Sequence, residues 1–356
     1  DAALLADPDD VATSLVYADW LEHRGHPRGQ LIAVQHAGLD HEADQLLDRY
    51  RDELLGPLDR GDALELVWER GFIKRARIGR GDSGDDGPDA LWDLLRHPSS
   101  RFLRELVIGC HAFGDQNNEL MADLLMRAGP HPPLRVLELA DFDQTDIDNI
   151  DISRAPIGDL GGLGACYPLL EDVVLKTSDV ELGALELPRA RRFAVRTSSM
   201  TKRLLASITR ASWPALEELE LWFGDPDRGY GADCEHADAR TIFSMASPKL
   251  RALAVRNAMF SDELVPDLLA WPGSARLEQL DFALGTLSDD GAAALIAGKA
   301  QLPKLERLGV FECSLTPSGL AALRDAGFTV DDRAIAPAFG WREPRQKTNR
   351  YTTVNE

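Results

Sequence analysis

The sequence predicts an α/β solenoid, a linear array of short strands each followed by a turn and a helix, and three observations carry that prediction. Leu277-Glu278-Gln279-Leu280-Asp281-Phe282 recurs 28 residues later as Leu305-Glu306-Arg307-Leu308-Gly309-Val310, and the match runs on through Leu287 with Leu315, Gly291 with Gly319 and Leu295 with Leu323. The same L-x-x-L-x-L frame can be traced back along most of the chain. Prolines and helix-capping residues fall at the same places in successive copies, so punctuation and periodicity agree.

Taken from the N-terminus, a weak copy of the frame starts at Ile73/Ala76/Ile78, and clearer copies follow at Leu103/Leu106/Ile108, Leu134/Leu137/Leu139 and Leu170/Val173/Leu175. Further copies begin at Ala190/Phe193/Val195, Leu216/Leu219/Leu221 and Leu250/Leu253/Val255. Each reads as a strand because alternate residues are apolar. Ser288 and Thr316 precede apolar-periodic stretches and are placed to cap helices. Pro168, Pro188, Pro214, Pro248 and Pro303 each stand two residues before a copy, where proline stops a helix and starts an extended segment. The copy at Ala190 has no leucine at its first position and is short, which predicts irregular curvature or a missing helix there.

Residues 100 to 330 resemble leucine-rich repeats. The last copies, with Leu305, Leu308, Val310, Cys313 and Leu315, are similar to the ribonuclease-inhibitor-like subclass. The resemblance implies a right-handed horseshoe with parallel strands on the concave face and helices on the convex one. The N-terminus carries a second resemblance. Leu15-Val16-Tyr17-Ala18-Asp19-Trp20-Leu21, followed by Gly25-His26-Pro27-Arg28-Gly29-Gln30-Leu31, is similar to the bacterial repeat-companion domain of planctomycetes and myxobacteria. That resemblance implies architecture and source rather than an activity. Physically the segment reads as two helices with a sharp turn between them. An array needs its first strand covered, so residues 1–66 are expected to form a helical cap, 67–332 the solenoid and 333–356 a basic tail. Trp68 to Ile73 would lead from the cap into the first strand.

Composition narrows the function. The chain has 356 residues, 39 basic and 59 acidic, for a net charge of −20. Phosphate binding needs a cationic surface, so neither nucleic acid nor an anionic membrane is expected as partner, and a protein with a basic surface is. The oligomeric state is left open. No apolar run approaches the roughly 18 residues needed to span a bilayer, and no secretion signal is visible. Cys110, Cys166, Cys234 and Cys313 form no paired motif, so a cytoplasmic location is expected. The tail differs in sign, with Arg333, Arg342, Arg345, Lys347 and Arg350 against Glu343 and Glu356.

Residues between the inward leucines point to solvent and form a banded charged face. Its candidate protein-binding residues are Arg196, Glu217, Glu218, Glu220, Trp222, Phe223, Arg256 and Phe311, with Lys176 also just beyond a strand. Buried aromatic and arginine anchors carry much of a typical interface. Tyr230 joins them from the insertion at residues 224–239, the largest irregularity of the array. Packing of Trp222 and Phe223 beneath that insertion is the competing reading. With these charges in solvent, reversing Glu217, Glu218 and Glu220 is expected to leave the melting temperature nearly unchanged.

Chemistry finds little purchase. Cys234, Glu235 and His236 are adjacent and do not converge as metal ligands, so no metal and no cofactor is expected. Arg80-Gly81-Asp82 and the run from Asp141 to Asp151 lack the context of an adhesion motif or a calcium loop. No nucleophile with a matched base stands out. The expected function is therefore non-catalytic: a scaffold or recognition subunit in a bacterial defence or regulatory complex, holding a protein on the concave face and the 224–239 loop. An acidic inhibitor or immunity protein that masks a basic enzyme is one alternative. An enzyme with a site near Asp19, Trp20, His23 and Arg28, at the junction of cap and array, is the other.

Overall fold

The alternation in each leucine frame becomes the register of one long sheet in a computed structural model, which describes residues 4, 7, 9–79, 87–109, 117–129, 133–141 and 155–333. The strands are β1 (Leu64–Glu69), β2 (Phe72–Ile78), β3 (Glu105–Gly109), β4 (Val136–Asp141), β5 (Gly158–Asp159), β6 (Asp172–Lys176) and β7 (Val180–Glu181). They continue as β8 (Arg192–Arg196), β9 (Glu218–Gly224), β10 (Ala252–Ala258), β11 (Gln279–Asp281), β12 (Arg307–Gly309) and β13 (Val330–Asp331). Eleven of them form a single sheet in chain order, and β5 with β7 forms a separate two-stranded pair. Every pairing in the long sheet is parallel except β1 with β2.

The frame's middle residues align strand to strand, from Ala76 through Leu106, Leu137, Val173, Phe193, Leu219, Leu253 and Leu280 to Leu308 and Val330. These side chains share one continuous core with helix residues such as Leu94, Leu125, Ile208, Leu268, Leu295 and Leu323. Helices therefore cover the leucine face, and the opposite face carries the charged residues.

Neighbouring copies are locked by repeated polar contacts. Ser288 caps helix Asp289–Ala297, and Thr316 caps helix Pro317–Asp325. Asp262 accepts from Ser288 N at 2.8 Å and from Ser288 Oγ at 2.6 Å; Asp289 does the same for Thr316 at 2.9 and 2.6 Å. Each cap is thus held by an aspartate one copy earlier. The glycines that follow leave room for those aspartates: a Cβ at Gly291 would lie 2.3 Å from Asp262 Oδ1, and one at Gly319 would lie 2.0 Å from Asp289 Oδ1.

Two expectations change. The copy beginning at Ala190 keeps its helix, Lys202–Arg210, capped by Thr201. The helix is missing one copy earlier, between β6 and β8, where only 20 residues separate Leu170 from Ala190 and β7 pairs with β5 instead. Too little chain remains for a strand, a helix and two turns. The lead-in at Trp68 to Ile73 is also more than a connection. It is a hairpin turn through Arg70 and Gly71, both left-handed at φ 50° and 74°, which folds β1 antiparallel onto β2.

Helices Val11–Glu22 and Pro27–His36 pack on that hairpin through Ala18, Leu21, Ile32, Phe72 and Phe102. Arg28 is buried. Its guanidinium donates to the Gly71 carbonyl and, at 2.8 Å, to Ser99 Oγ, and it lies 4.8 Å from the Phe72 ring centroid. Burial pulls its pKa down to about 10. Gln35 holds the same turn, accepting from Gly71 N at 2.7 Å.

Candidate functional site

The charged face is organised in rows that run across the strands. The first row is the residue after each frame's opening position, and from β4 to β11 its charge alternates: Arg135, Glu171, Arg191, Glu217, Arg251, Glu278. Arg191 meets Glu217 at 2.9 Å, Glu217 meets Arg251 at 3.1 Å, and Arg251 meets Glu278 at 3.4 Å; Arg135 pairs with Glu171 as well. Beneath these side chains the backbone repeats one device. The carbonyls of Arg135, Glu171, Arg191, Glu217, Arg251 and Glu278 each accept from two successive N–H groups of the next strand.

Above that ladder sits a denser cluster, centred on Glu220 of β9. Glu220 Oε1 accepts from Arg196 Nε at 3.0 Å, Arg256 Nη1 at 2.9 Å and Trp222 Nε1 at 2.8 Å, and its Oε2 accepts from Arg196 Nη2 at 3.0 Å. Arg256 reaches on to Asp281 at 2.6 Å. The Glu220 side chain is 13% exposed. Burial alone would raise its pKa, but the charges of Arg196 and Arg256 and the donors on its oxygens hold it at about 2. Arg256 moves the opposite way: burial would lower its pKa, and Glu220 and Asp281 overcome that and raise it. Its Nε is buried with no hydrogen-bond partner in the structure.

Around this cluster lies a hollow of about 550 Å³, bounded by Arg192, Arg196, Glu220, Arg256, Asp281, Ala283, Arg307, Gly309, Phe311, Asp331 and Arg333. Its floor is low because Ala194 and Ala254 stand level with Glu220 in the register, and Gly309 stands level with Asp281. Trp222 packs with Ala283, Leu284 and Phe311 at the upper rim. Leu284 holds a left-handed φ of 67°, unusual for a leucine, and so presses its side chain into that cluster.

The predicted residues divide accordingly. Arg196, Glu220, Trp222, Arg256 and Phe311 come together, while Glu217 and Glu218 lie in the neighbouring rows with Arg191, Arg192 and Arg251. Lys176, Arg196, Trp222 and Arg256 are strand residues rather than residues beyond the strand ends. Phe223 points the other way, is 1% exposed, and stacks edge-on to Phe260 at 5.1 Å in the main core. It is removed from the candidate surface, because successive strand residues face opposite sides. Trp222 is 5% exposed, so its contribution to the face is mostly as support for Glu220. Reversing Glu217, Glu218 and Glu220 would set new cations against arginines that now donate to these carboxylates, so a lowered melting temperature is expected in place of an unchanged one.

Arg192, Arg307 and Asp331 were not singled out from the sequence as interface anchors. The signal was present, since Arg192 and Arg307 hold the same frame position as Glu218. The 224–239 insertion is tied down rather than loose. Lys202 N donates to Asp233 Oδ1 at 2.6 Å, His236 Nε2 meets Asp267 at 2.6 Å, and Cys234 is buried, its thiol pushed up to about 12 by burial first and Asp233 next. Tyr230 is 36% exposed on that loop. Among the described residues no group of three or more metal-ligating side chains converges.

The alternative site near the N-terminus is not assembled. Asp19 and His23 pair at 3.4 Å on the outer side of their helix, and Trp20 is exposed beneath Arg24, whereas Arg28 is turned inward to the hairpin. Cys110, the Arg80-Gly81-Asp82 motif, the acidic run beyond Asp141 and the tail after Arg333 lie outside the described residues. No helix among the described residues is long and apolar enough to cross a membrane.

No protein-family model matches the chain, and no curated protein matches it. Among solved structures it is similar to a protein of Bacteroides fragilis determined as a structural-genomics target, at a TM-score of 0.63 and 20% identity over 78% of this chain and 77% of that one. At that identity the likeness speaks for the fold alone.

Proposed function

We propose that the long sheet is a leucine-rich-repeat solenoid closed at its N-terminus by a repeat-companion-like cap, and that it binds a protein partner on its charged face and the 224–239 loop without catalysing a reaction. The observation that carries this reading is the hollow around Glu220. Its arginines and carboxylates are pre-ordered by one another on a rigid sheet, which lowers the ordering cost of an interface. A scaffold or recognition subunit of a bacterial defence or regulatory complex fits such a face, and so does an inhibitor of a basic enzyme, given the net charge of −20. The free Cys166, Cys234 and Cys313 support a reducing compartment, the cytoplasm.

The test is quantitative co-purification from the native organism, wild type against Ala252→Trp and Tyr230→Ala. Ala252 lies between Glu218 and Gln279 in the register, so a tryptophan there covers the face without entering the core. A partner retained by wild type and depleted by Ala252→Trp supports the reading. Equal retention by both moves the interface elsewhere, and loss of a bound basic enzyme's activity selects the inhibitor.

A further inference from the structure

We infer that the hollow over β8–β12 receives an acidic peptide segment, with one carboxylate at Arg192, a second at Arg307 and an apolar side chain against Phe311. This rests on the protein-binding reading and gives its partner a chemistry opposite to the one that net charge suggests.

Three observations point this way. The hollow is bounded by five arginines and three carboxylates, a local cation excess on a chain of −20. The three carboxylates are already committed. Glu220 accepts four donors, about the full capacity of a carboxylate. Asp281 accepts from Arg256 on one oxygen and, at 2.8 Å, from Ala283 N on the other. Asp331 accepts from Arg307 and from Arg333. A cationic ligand would have to displace these bonds. The donors are less fully used. Arg192 stands at 3.4 Å from both oxygens of Asp172 and 3.9 Å from Glu218 and Glu220, and Arg307 bonds Asp331 through Nη2. A carboxylate offers Arg192 a shorter partner than any it has, and offers Arg307 a second one through the N–H groups that Asp331 does not take.

The spacing sets the ligand's size. Four strand intervals separate Arg192 from Arg307, roughly 19 Å at the usual inter-strand distance, which about six extended residues span. The row from Arg192 to Arg307 passes Glu218, Ala252 and Gln279; in the row beside it the small side chains of Ala194, Ala254 and Gly309 keep the hollow low, and Phe311 gives its far wall an apolar surface.

The experiment measures fluorescence anisotropy with two labelled peptides of about seven residues, one alternating glutamate with leucine and one alternating lysine with leucine. The glutamate peptide is expected to bind wild type, to lose about tenfold in affinity with Arg192→Gln/Arg307→Gln, and to be only partly restored by Arg192→Lys/Arg307→Lys, which keeps the charge without the guanidinium fork. Unchanged affinity in the glutamine pair, equal binding of the lysine peptide, or no binding of the glutamate peptide overturns the inference. Melting curves of both pairs separate a lost contact from a lost fold. If the peptide fails while the co-purified partner remains sensitive to Ala252→Trp, the inference falls and the protein-binding reading stands. If the peptide binds and the partner is insensitive to Ala252→Trp, the reverse holds.

Discussion

Glu220 is the residue on which the charged face depends, and its behaviour follows from two opposed effects. Burial disfavours its charge, and two arginines with an indole N–H favour it by more. A carboxyl held below its ordinary value of 4.5 adds stability that is complete above that pH and is lost as pH falls toward about 2. The stability difference between wild type and Glu220→Gln, measured by urea unfolding, should therefore shrink steadily between those limits. At pH 7 Glu220→Ala should cost about 3–5 kcal/mol, since it leaves two arginines without their shared anion; a cost below 1 kcal/mol would place the arginines in solvent. On the other side of the sheet Leu308 is fully buried, and Leu308→Ala should cost about 2–5 kcal/mol by chemical denaturation.

At the scale of the element, the hairpin β1–β2 with its two helices is the part whose role the residues themselves explain. A Cβ at Gly71 would lie 2.5 Å from Ile32 Cγ1 in a backbone conformation that side chains disfavour. Gly71→Ala should thus cost about 1–3 kcal/mol. Arg28→Met should cost a similar amount, by removing the donor from the Gly71 carbonyl and from Ser99 Oγ, which keeps its own bond to the Leu54 carbonyl at 2.9 Å. In both variants hydrogen exchange should rise in helices Val11–Glu22 and Pro27–His36 and stay unchanged in β9–β12; uniform change across the sheet would mean that the hairpin and the array unfold as one unit. Arg28 also shows how a motif is misread. In the sequence an arginine beside His23, Asp19 and Trp20 has the composition of a site, yet the turn at Gly25 sends it inward as a clamp.

At the scale of the whole molecule, global and local charge oppose each other. The chain repels an acidic ligand at long range, and the hollow attracts it at contact. Stopped-flow association of the glutamate peptide should accordingly speed up between about 10 and 150 mM salt, as the Debye length shrinks from about 30 to 8 Å, while dissociation also quickens. Association that slows with salt would show that the hollow's own field dominates the approach.

The strand frame, the caps at Ser288 and Thr316 and the helical N-terminus were legible in the sequence because each depends on local periodicity or on one residue's bonding habit. The inward leucines could be named strand by strand for the same reason, since a period of two leaves a side chain only two faces. The alternating ladder from Arg135 to Glu278 was readable as well, once each charge is matched to its place in the frame. The antiparallel β1 and the short β13 were not, because they depend on which segments remain to cover the sheet's ends; the missing helix was legible but is placed one copy too late, although the short spacing of 20 residues from Leu170 to Ala190 stands in the sequence. Phe223 and Arg192 make the same contrast at the site. Alternation from Leu219 and Leu221 already turns Phe223 inward, whereas only the folded sheet left Arg192 with distant partners, because pairing is settled by residues that lie 20 or more positions away along the chain.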